Sequence, residues 1–385
     1  MRVLIAPDSF TGTLTAPEAA AAIADGWYRT SPADSIHCAP LSDGGPGFVA
    51  VMYAGLGGHL VDVPISGPLG ESVTASVLLV DHGSGLTAYI ESAQVCGLHL
   101  VPDDRRDPRR TTSVGLGELI LTAVSYGARR VVIGLGGTGT NDAGAGCLAA
   151  LGAHARTLDG DDAKELLRSG GGALWQVAAV DLSDAQAAID GVDLVIASDV
   201  DNPLLGLRGA TNGYARQKGA DDAAVMELEG ALQQFASAVG RRSDGKDPAV
   251  ALGAGAGGGL GYGLMCLGAT RVPGIATVLE TVGLSELIAN ADVVVTGEGS
   301  FDWQSLRGKV VSGVAAAALE QGRPCVVIAG QVQVGRREYA ASGVTAAFSV
   351  LEHLAERGID ERQAFTDPVS SLASVASRVA QTWGS

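Results

Sequence analysis

Short β-branched runs alternate along the chain with alanine-rich stretches of helical periodicity, and this alternation predicts an α/β protein. Val3–Ala6 reads as a strand. Thr15-Ala-Pro-Glu18 has the form of a capping box with proline just inside the helix, and the helix it opens runs through Ala19–Trp27. Ser35–Pro40 reads as a second strand. From Leu60 to Glu91, short runs broken by Gly-Pro and Asp-His-Gly predict antiparallel strands. Glu118–Tyr126 predicts a helix and Arg130–Leu135 a strongly β-branched strand. Asp193–Ala197, Asp292–Thr296, Cys325–Ala329 and Ala346–Val350 read as further buried strands. Arg156–Gly172 is polar and glycine-rich, as a surface excursion would be. Arg241–Pro248 is the most linker-like run, and Val369–Trp383 has the pattern of a surface-docked helix. The chain has no internal repeat and no low-complexity tail.

Five of these strands run directly into turns rich in glycine, carboxylate, amide and hydroxyl groups. They are Pro7-Asp8-Ser9-Phe10, Ser42-Asp43-Gly44-Gly45-Pro46-Gly47, Gly136-Gly137-Thr138-Gly139-Thr140-Asn141-Asp142, Ser198-Asp199-Val200-Asp201-Asn202-Pro203 and Gly297-Glu298-Gly299-Ser300-Phe301-Asp302. Ligands of open α/β sheets bind beyond the carboxyl ends of the strands, so five such turns point to one shared site. The Gly136 turn suits an anion, because glycine lets backbone N–H groups come close and Thr138, Thr140 and Asn141 add donors. Carboxylates at the same site would repel an anion unless a cation intervenes. Mg²⁺ with a polyphosphate meets that need, since Mg²⁺ takes one or two carboxylates plus phosphate oxygens and water. Any one glycine turn after a strand is equally well explained by sterics; five together are not.

Composition narrows the classes. The chain of 385 residues suggests two or three domains or one large α/β unit. Its formal charge of −16 disfavours nucleic acid, and 46% hydrophobic residues suffice for a large core. Glycine is the outlier at 55 residues, about twice the usual share of ~7%. The five cysteines form no CxxC pair and the six histidines show no HxH or HxxxH spacing, so reduced core thiols and a cytoplasmic location are expected and a zinc site is not. No apolar run reaches the ~18 residues of a membrane span. Only four lysines occur, Lys164, Lys218, Lys246 and Lys309. In a chain that otherwise uses arginine, Lys218 and Lys309, each beside glycine, stand out as compact charges, although an ordinary solvated lysine explains either one almost as well.

Gly253-Ala-Gly-Ala-Gly-Gly258 fits the dinucleotide pattern GxGxxG, and Glu280, after the strand-like Ile275–Leu279, lies near the acidic spacing such a fold uses. The same run could be a closely packed helix start, so an oxidoreductase stays open as the alternative. A Walker A loop, a protein-kinase HRD loop and a GxSxG elbow are all absent.

The ordered motifs resemble those of the bacterial glycerate kinases of the first type, a family without a P-loop. The matching pieces are Ile5-Ala-Pro-Asp-Ser-Phe10, Ser42-Asp-Gly-Gly45, Gly67-Pro-Leu-Gly70, Gly134-Leu-Gly-Gly-Thr-Gly-Thr-Asn-Asp142, Ser198-Asp-Val-Asp-Asn-Pro-Leu-Leu-Gly206, Gln217-Lys-Gly-Ala220, Gly253-Ala-Gly-Ala-Gly-Gly-Gly-Leu-Gly261 and Thr296-Gly-Glu-Gly-Ser-Phe-Asp-Trp-Gln-Ser-Leu-Arg-Gly-Lys309. Departures occur at Thr11 and Pro46, where the family usually has Lys and Glu, at Ser92, usually Met, and at Tyr214-Ala-Arg216. The resemblance implies two α/β domains with the active site in the cleft between them: a Rossmann-like domain from both chain ends (residues 1–65 and 285–385) and an inserted mixed-sheet domain (66–284). It also implies ATP- and Mg²⁺-dependent phosphorylation of D-glycerate, with 2-phosphoglycerate favoured. In that reading Gly136, Gly137, Thr138, Thr140 and Asn141 bind phosphate, and Asp199, with Asp201, holds Mg²⁺ or, for Asp199, takes the hydroxyl proton. Lys309 neutralises phosphoryl oxygens, and Asp8, Ser9 and Asp43 face the acceptor. Thr11 and Pro46 would mark a changed acceptor pocket, so a kinase for another small hydroxy acid is a further alternative, as is a binding protein without catalysis. A homodimer is compatible with the sequence.

Overall fold

The computed structural model describes residues 1–385 except Thr11, Ser84, Arg307, Gly308 and Ser385. The chain divides into two compact units, one made of Met1–Asp43, Ala50–Gly57 and Gly274–Ser385, the other of Gly44–Val49 and Gly58–Pro273. The change of unit near residue 58, earlier than the residue 65 expected, has a clear cause. The strand His59–Ser66 pairs antiparallel with Ser72–Asp81 from His59↔Leu79 to Ser66↔Ser72, so its hydrogen bonds hold it in the second unit. The change back comes at Gly274 because the helices Gly274–Thr281 and Leu284–Ala289 belong with the first unit.

The first unit is built on a five-stranded, all-parallel sheet. Its order is Val344–Ser349, Cys325–Val332, Val293–Phe301, Arg2–Ile5, Ser35–Cys38. A parallel sheet is covered on both faces, which is why its strands read as continuous apolar runs. Val3, Ile5, Val293, Val295, Val326 and Ile328 pack with Ile23 and Trp27 of the helix Ala16–Thr30 and with Val375 and Val379 of the helix Pro368–Trp383. The capping box forms: the Thr15 hydroxyl accepts from the Glu18 N–H at 3.4 Å, and the Glu18 carboxylate accepts from the Thr15 N–H at 2.8 Å. The Trp27 indole N–H donates to Asp34 at 3.0 Å in the core.

One expected turn is a strand instead. Gly297-Glu298-Gly299-Ser300 continues the ladder, with Glu298 opposite Ala329 and Ser300 opposite Gln331. Glycine serves close approach there: a Cβ on Gly297 would strike the Ile328 carbonyl.

The second unit holds a six-stranded mixed sheet in the order Thr270–Val272, Asp193–Ala197, Arg130–Gly134, Leu86–Glu91, Ser72–Asp81, His59–Ser66. The first four strands are parallel and the last two antiparallel, as the broken runs after Leu60 predict. Arg241–Pro248 is not a linker between units. It turns back inside the second unit, where the Arg242 guanidinium donates to the Met265 carbonyl at 2.8 Å.

The dinucleotide reading fails on structure. No strand feeds the Gly253 run, which follows the short turn Pro248–Val250, and Ile275–Leu279 lies in a helix rather than a strand. The glycines there are used for packing. Gly257, Gly258 and Gly259 have φ of 63°, 71° and 89° inside the bent segment Ala256–Cys266, and a Cβ on Gly258 would meet the backbone of Thr140.

Two helical glycines give opposite expectations. A Cβ on Gly26 would collide with the backbone of Ala373, where the two long helices of the first unit touch, whereas Gly230 in the helix Asp222–Val239 has nothing within 4 Å. Helix propensity favours alanine by about 1 kcal/mol at either position. At Gly26 the overpacking cost of about 1–3 kcal/mol should win. Gly26→Ala should therefore lower the midpoint of urea unfolding, and Gly230→Ala should raise it slightly.

Candidate active site

In the first unit the carboxyl ends of three neighbouring strands gather charge. Asp8 follows Arg2–Ile5, Asp43 follows Ser35–Cys38, and Glu298 lies in the C-terminal half of the strand Val293–Phe301. The Asp8 N–H donates to the Gly297 carbonyl at 2.8 Å, and the Thr296 hydroxyl donates to the Ala6 carbonyl at 2.7 Å, which locks the first and third strand ends together. The Ser9 N–H turns back onto the Asp8 carboxylate at 2.6 Å, so Ser9 shapes Asp8.

The electrostatics follow from this crowding. Burial raises the Asp8 carboxyl to about 7, and the negative charges of Asp43 and Glu298 push it the same way against the Ser9 N–H. Burial also raises Glu298 to about 7; the Ser305 hydroxyl and the Lys309 ammonium oppose this, while Asp302 and Asp43 add to it. Glu298 is only 8% exposed, and its Oε1 has no hydrogen-bond partner among the described residues. Lys309 stands at the start of the helix Val310–Glu320, where the Ser312 side chain and the Lys309 backbone cap one another. Its neighbours Arg307 and Gly308 lie outside the described residues, as does Thr11.

In the second unit the ends of adjacent strands bring two further turns together. Gly134 and Ala197 are directly paired, so Gly136–Asn141 and Asp199–Asp201 leave the sheet side by side. Asp199 is half-buried and Asp201 exposed. Gly136 and Gly137 reach the surface, whereas Thr138, Thr140 and Asn141 are buried.

The carbonyls of this loop are tied back into the unit. The Ser92 hydroxyl donates to Gly136 O at 3.3 Å, Leu98 N–H to Gly137 O at 2.9 Å, the Thr111 hydroxyl to Gly139 O at 2.9 Å, and the Lys218 ammonium to Thr140 O at 2.7 Å. In a trans peptide the C=O and the next N–H point in opposite directions. Four anchored carbonyls therefore turn the N–H groups of Gly137, Thr138, Thr140 and Asn141 the other way. None of these four N–H groups has an acceptor among the described residues, and the Thr140 hydroxyl oxygen and Asn141 Oδ1 are likewise buried without a partner. Buried polar groups are normally satisfied, at a cost of about 1–3 kcal/mol when they are not. A run of N–H donors without internal acceptors can hold an anion.

Glycine is required at the mouth of this loop. Gly137 has φ of 64°, and a Cβ there would lie 2.6 Å from Pro46 Cγ; one on Gly136 would lie 2.8 Å from Gly45 Cα. Pro46 thus belongs to the second unit and abuts Gly137 of the same unit. Ser92 bonds that same turn, and the Tyr214 hydroxyl donates to Asn202 Oδ1 at 3.0 Å.

Two groups were missed as site residues. Glu298 was hidden because its segment reads as a turn, although a carboxylate between two glycines was its signal. Lys218 was visible as one of four lysines, but only the fold shows that it lies behind the Gly136 loop, 3% exposed.

Comparison with known proteins joins these observations. The glycerate kinase family profile matches residues 3–384. A glycerate kinase of Halalkalibacterium halodurans is 39% identical over 99% of this chain and 98% of its own length. The glycerate 2-kinase of Escherichia coli K12 is 39% identical over 99% and 98%. The crystal structure of a Salmonella typhimurium LT2 protein assigned as glycerate kinase 2 superposes with a TM-score of 0.80 at 35% identity, covering 100% of this chain and 98% of that one. The chain belongs to the glycerate kinase family and is a phosphotransferase.

Proposed function

We propose that the protein transfers the γ-phosphate of ATP to a hydroxyl of D-glycerate, with 2-phosphoglycerate the favoured product. The observation that carries this reading is the family match through residues 3–384, which takes in both sets of strand-end residues. The name of the Escherichia coli relative, glycerate 2-kinase, supports the position of transfer.

Phosphoryl transfer depends mainly on positioning and on stabilising charge. The N–H groups of Gly137, Thr138, Thr140 and Asn141, which have no acceptor among the described residues, take phosphate oxygens, and Gly136 keeps the approach open. Asp8 and Glu298, held near 7, are suited to accept the proton of an acceptor hydroxyl at neutral pH. Asp43 and Ser9 orient that pair, and the Lys309 ammonium meets negative charge on the transferring group. Asp199 and Asp201 fit Mg²⁺ in their donor chemistry, being carboxylate oxygens two residues apart. Mg²⁺ commonly takes one or two carboxylates plus substrate phosphate oxygens. When bound, Mg²⁺ supplies charge neutralisation on phosphate oxygens. No helix among the described residues is long and apolar enough to cross a membrane.

The direct test is to incubate the protein with ATP, Mg²⁺ and a panel of hydroxy acids, follow ADP, and identify the phosphorylated carbon by NMR. ADP formation with D-glycerate and a 2-phosphate product is expected. Turnover confined to another hydroxy acid would overturn the substrate.

The buried carboxyls make activity and stability respond to pH in opposite directions. In the folded state Asp8 and Glu298 keep their protons up to about 7, whereas unfolded carboxyls lose them near ~4. The folded state thus binds more protons between those values, so their contribution to stability is full at low pH and lost as pH rises through about 7. The rate should rise over the same interval as the base deprotonates. Asp8→Asn should lower kcat by roughly 10²-fold or more while raising the melting temperature at pH 8.

Lys309→Ala should lower kcat roughly 10²–10³-fold, by analogy with the loss of one charged or oxyanion donor, with a far smaller change in the KM for glycerate. Lys309→Arg should rescue only in part, because a planar fork does not reproduce a compact charge. Lys164→Ala, at the start of the short helix Lys164–Arg168, should be nearly silent in the same steady-state assay.

A further inference from the structure

We propose that Lys218 is a positioning residue that sets the phosphate loop from behind, holding the Thr140 carbonyl inward and leaving the Thr138 hydroxyl proton and the Asn141 N–H for the phosphates of the nucleotide. This rests on the reading of Gly136–Asn141 as the phosphate cradle.

Lys218 ends the short turn Arg216–Lys218 after the helix Ala210–Tyr214. Gly219 follows with φ of 102° and packs against the Arg106 backbone, so the chain must turn at this point and the lysine side chain is driven inward. Burying an ammonium is expensive unless it is well bonded. Its two hydrogen bonds both go to the loop: Thr140 O at 2.7 Å and, longer, Thr138 Oγ1 at 3.4 Å. At 3% exposure its ammonium is held within the fold, with both bonds spent on the loop.

The chemistry of the two bonds is specific. An ammonium only donates, so Thr138 Oγ1 must act as its acceptor and keeps its own hydrogen for another partner. That hydrogen has no acceptor among the described residues. The peptide plane that points the Thr140 carbonyl at Lys218 points the Asn141 N–H the opposite way. Removing the ammonium frees that plane to rotate, and two donors lose their aim together. The ammonium also places a positive charge behind the cradle. The charged and titratable groups acting on it are Asp142 and Cys96. Asp142 is itself held by Ser113 N–H and hydroxyl at 2.8 Å and by the N–H groups of Gly144 at 3.1 Å and Gly146 at 3.3 Å. Burial lowers Lys218 to about 8 against the pull of Asp142 and Cys96. The charge behind the loop is thus lost as pH rises through about 8.

The test is direct binding of ATP by calorimetry, beside steady-state kinetics, for the full chain and for Lys218→Met, which keeps length and apolar stem without charge. Loss of one charge-assisted hydrogen bond should weaken ATP binding roughly 10- to 100-fold, with the KM for glycerate changed less than about twofold. Binding of ATP by the unaltered protein should also weaken between pH 7 and 9.5, while stability rises over that interval because the unfolded lysine keeps its proton up to ~10.4. This second measurement stands even if Lys218→Met fails to fold. Equal losses for ATP and glycerate, or ATP affinity independent of pH in the unaltered protein, would overturn the proposal. Gly137→Ala separates the two levels. If it leaves ATP binding intact, the loop is not the cradle and both ideas fall. If it abolishes binding while Lys218→Met does not, only the role of Lys218 falls.

Discussion

Anchoring the loop carbonyls is the constraint on which the candidate site of the second unit depends. A glycine-rich loop left to itself has no fixed direction for its peptide planes. Here Gly136, Gly137, Gly139 and Thr140 each have their carbonyl held by a different partner: Ser92, Leu98, Thr111 and Lys218. Each anchor costs a backbone group its water and fixes the next N–H in the opposite direction. The loop becomes a set of aimed donors without using the dipole of a long helix. The Thr140 hydroxyl left over is the residue of that choice: together with the loop N–H groups it stays short of full hydrogen bonding where an anion would supply the acceptors.

The first unit makes the complementary choice with charge. Parallel strands end together, so Asp8, Asp43 and Glu298 are forced into one neighbourhood by sheet order, not by sequence proximity. Three carboxyls that close and partly out of water cannot all ionise freely, and two of them hold protons to about 7. That arrangement costs stability and holds two carboxyls poised near neutral pH, with the Lys309 ammonium as a counter-charge acting on Glu298. The same trade, stability for a poised group, recurs at Lys218, where a cation is buried to hold a loop.

The residues that depart from the usual family pattern take on a different meaning in three dimensions. Pro46 follows Asp43 closely in sequence, which ties it to the acceptor. In the fold it packs on Gly137, and Ser92 bonds Gly136. Both sit at the mouth of the loop assigned here to phosphate. The Gly253 run likewise imitates a dinucleotide motif in sequence, yet its glycines let the backbone of Ala256–Cys266 bend past Thr140 and Ala143. A short glycine pattern states that something comes close. Whether that is a ligand or another stretch of backbone is a property of the fold.

The α/β class, most strand positions, the capping box at Thr15 and four of the five strand-end turns are local properties of hydrophobic period and turn residues, and the sequence by itself determined them. The turns at Asp8, Asp43, Asp199 and Gly136 were legible for that reason, since each follows a run that reads as a strand. Three things were decided only by tertiary structure. The strand through Gly297–Phe301 exists because a partner strand offers hydrogen bonds at a distance that only glycine tolerates, so local propensity for a turn lost to the ladder. The shared electrostatics of Asp8 and Glu298 arise from residues 290 positions apart that sheet order makes neighbours. The place of Lys218 behind the loop depends on a buried contact across 78 residues. Burial and long-range pairing set the protonation and aim of these groups, and neither is encoded in any window of local sequence.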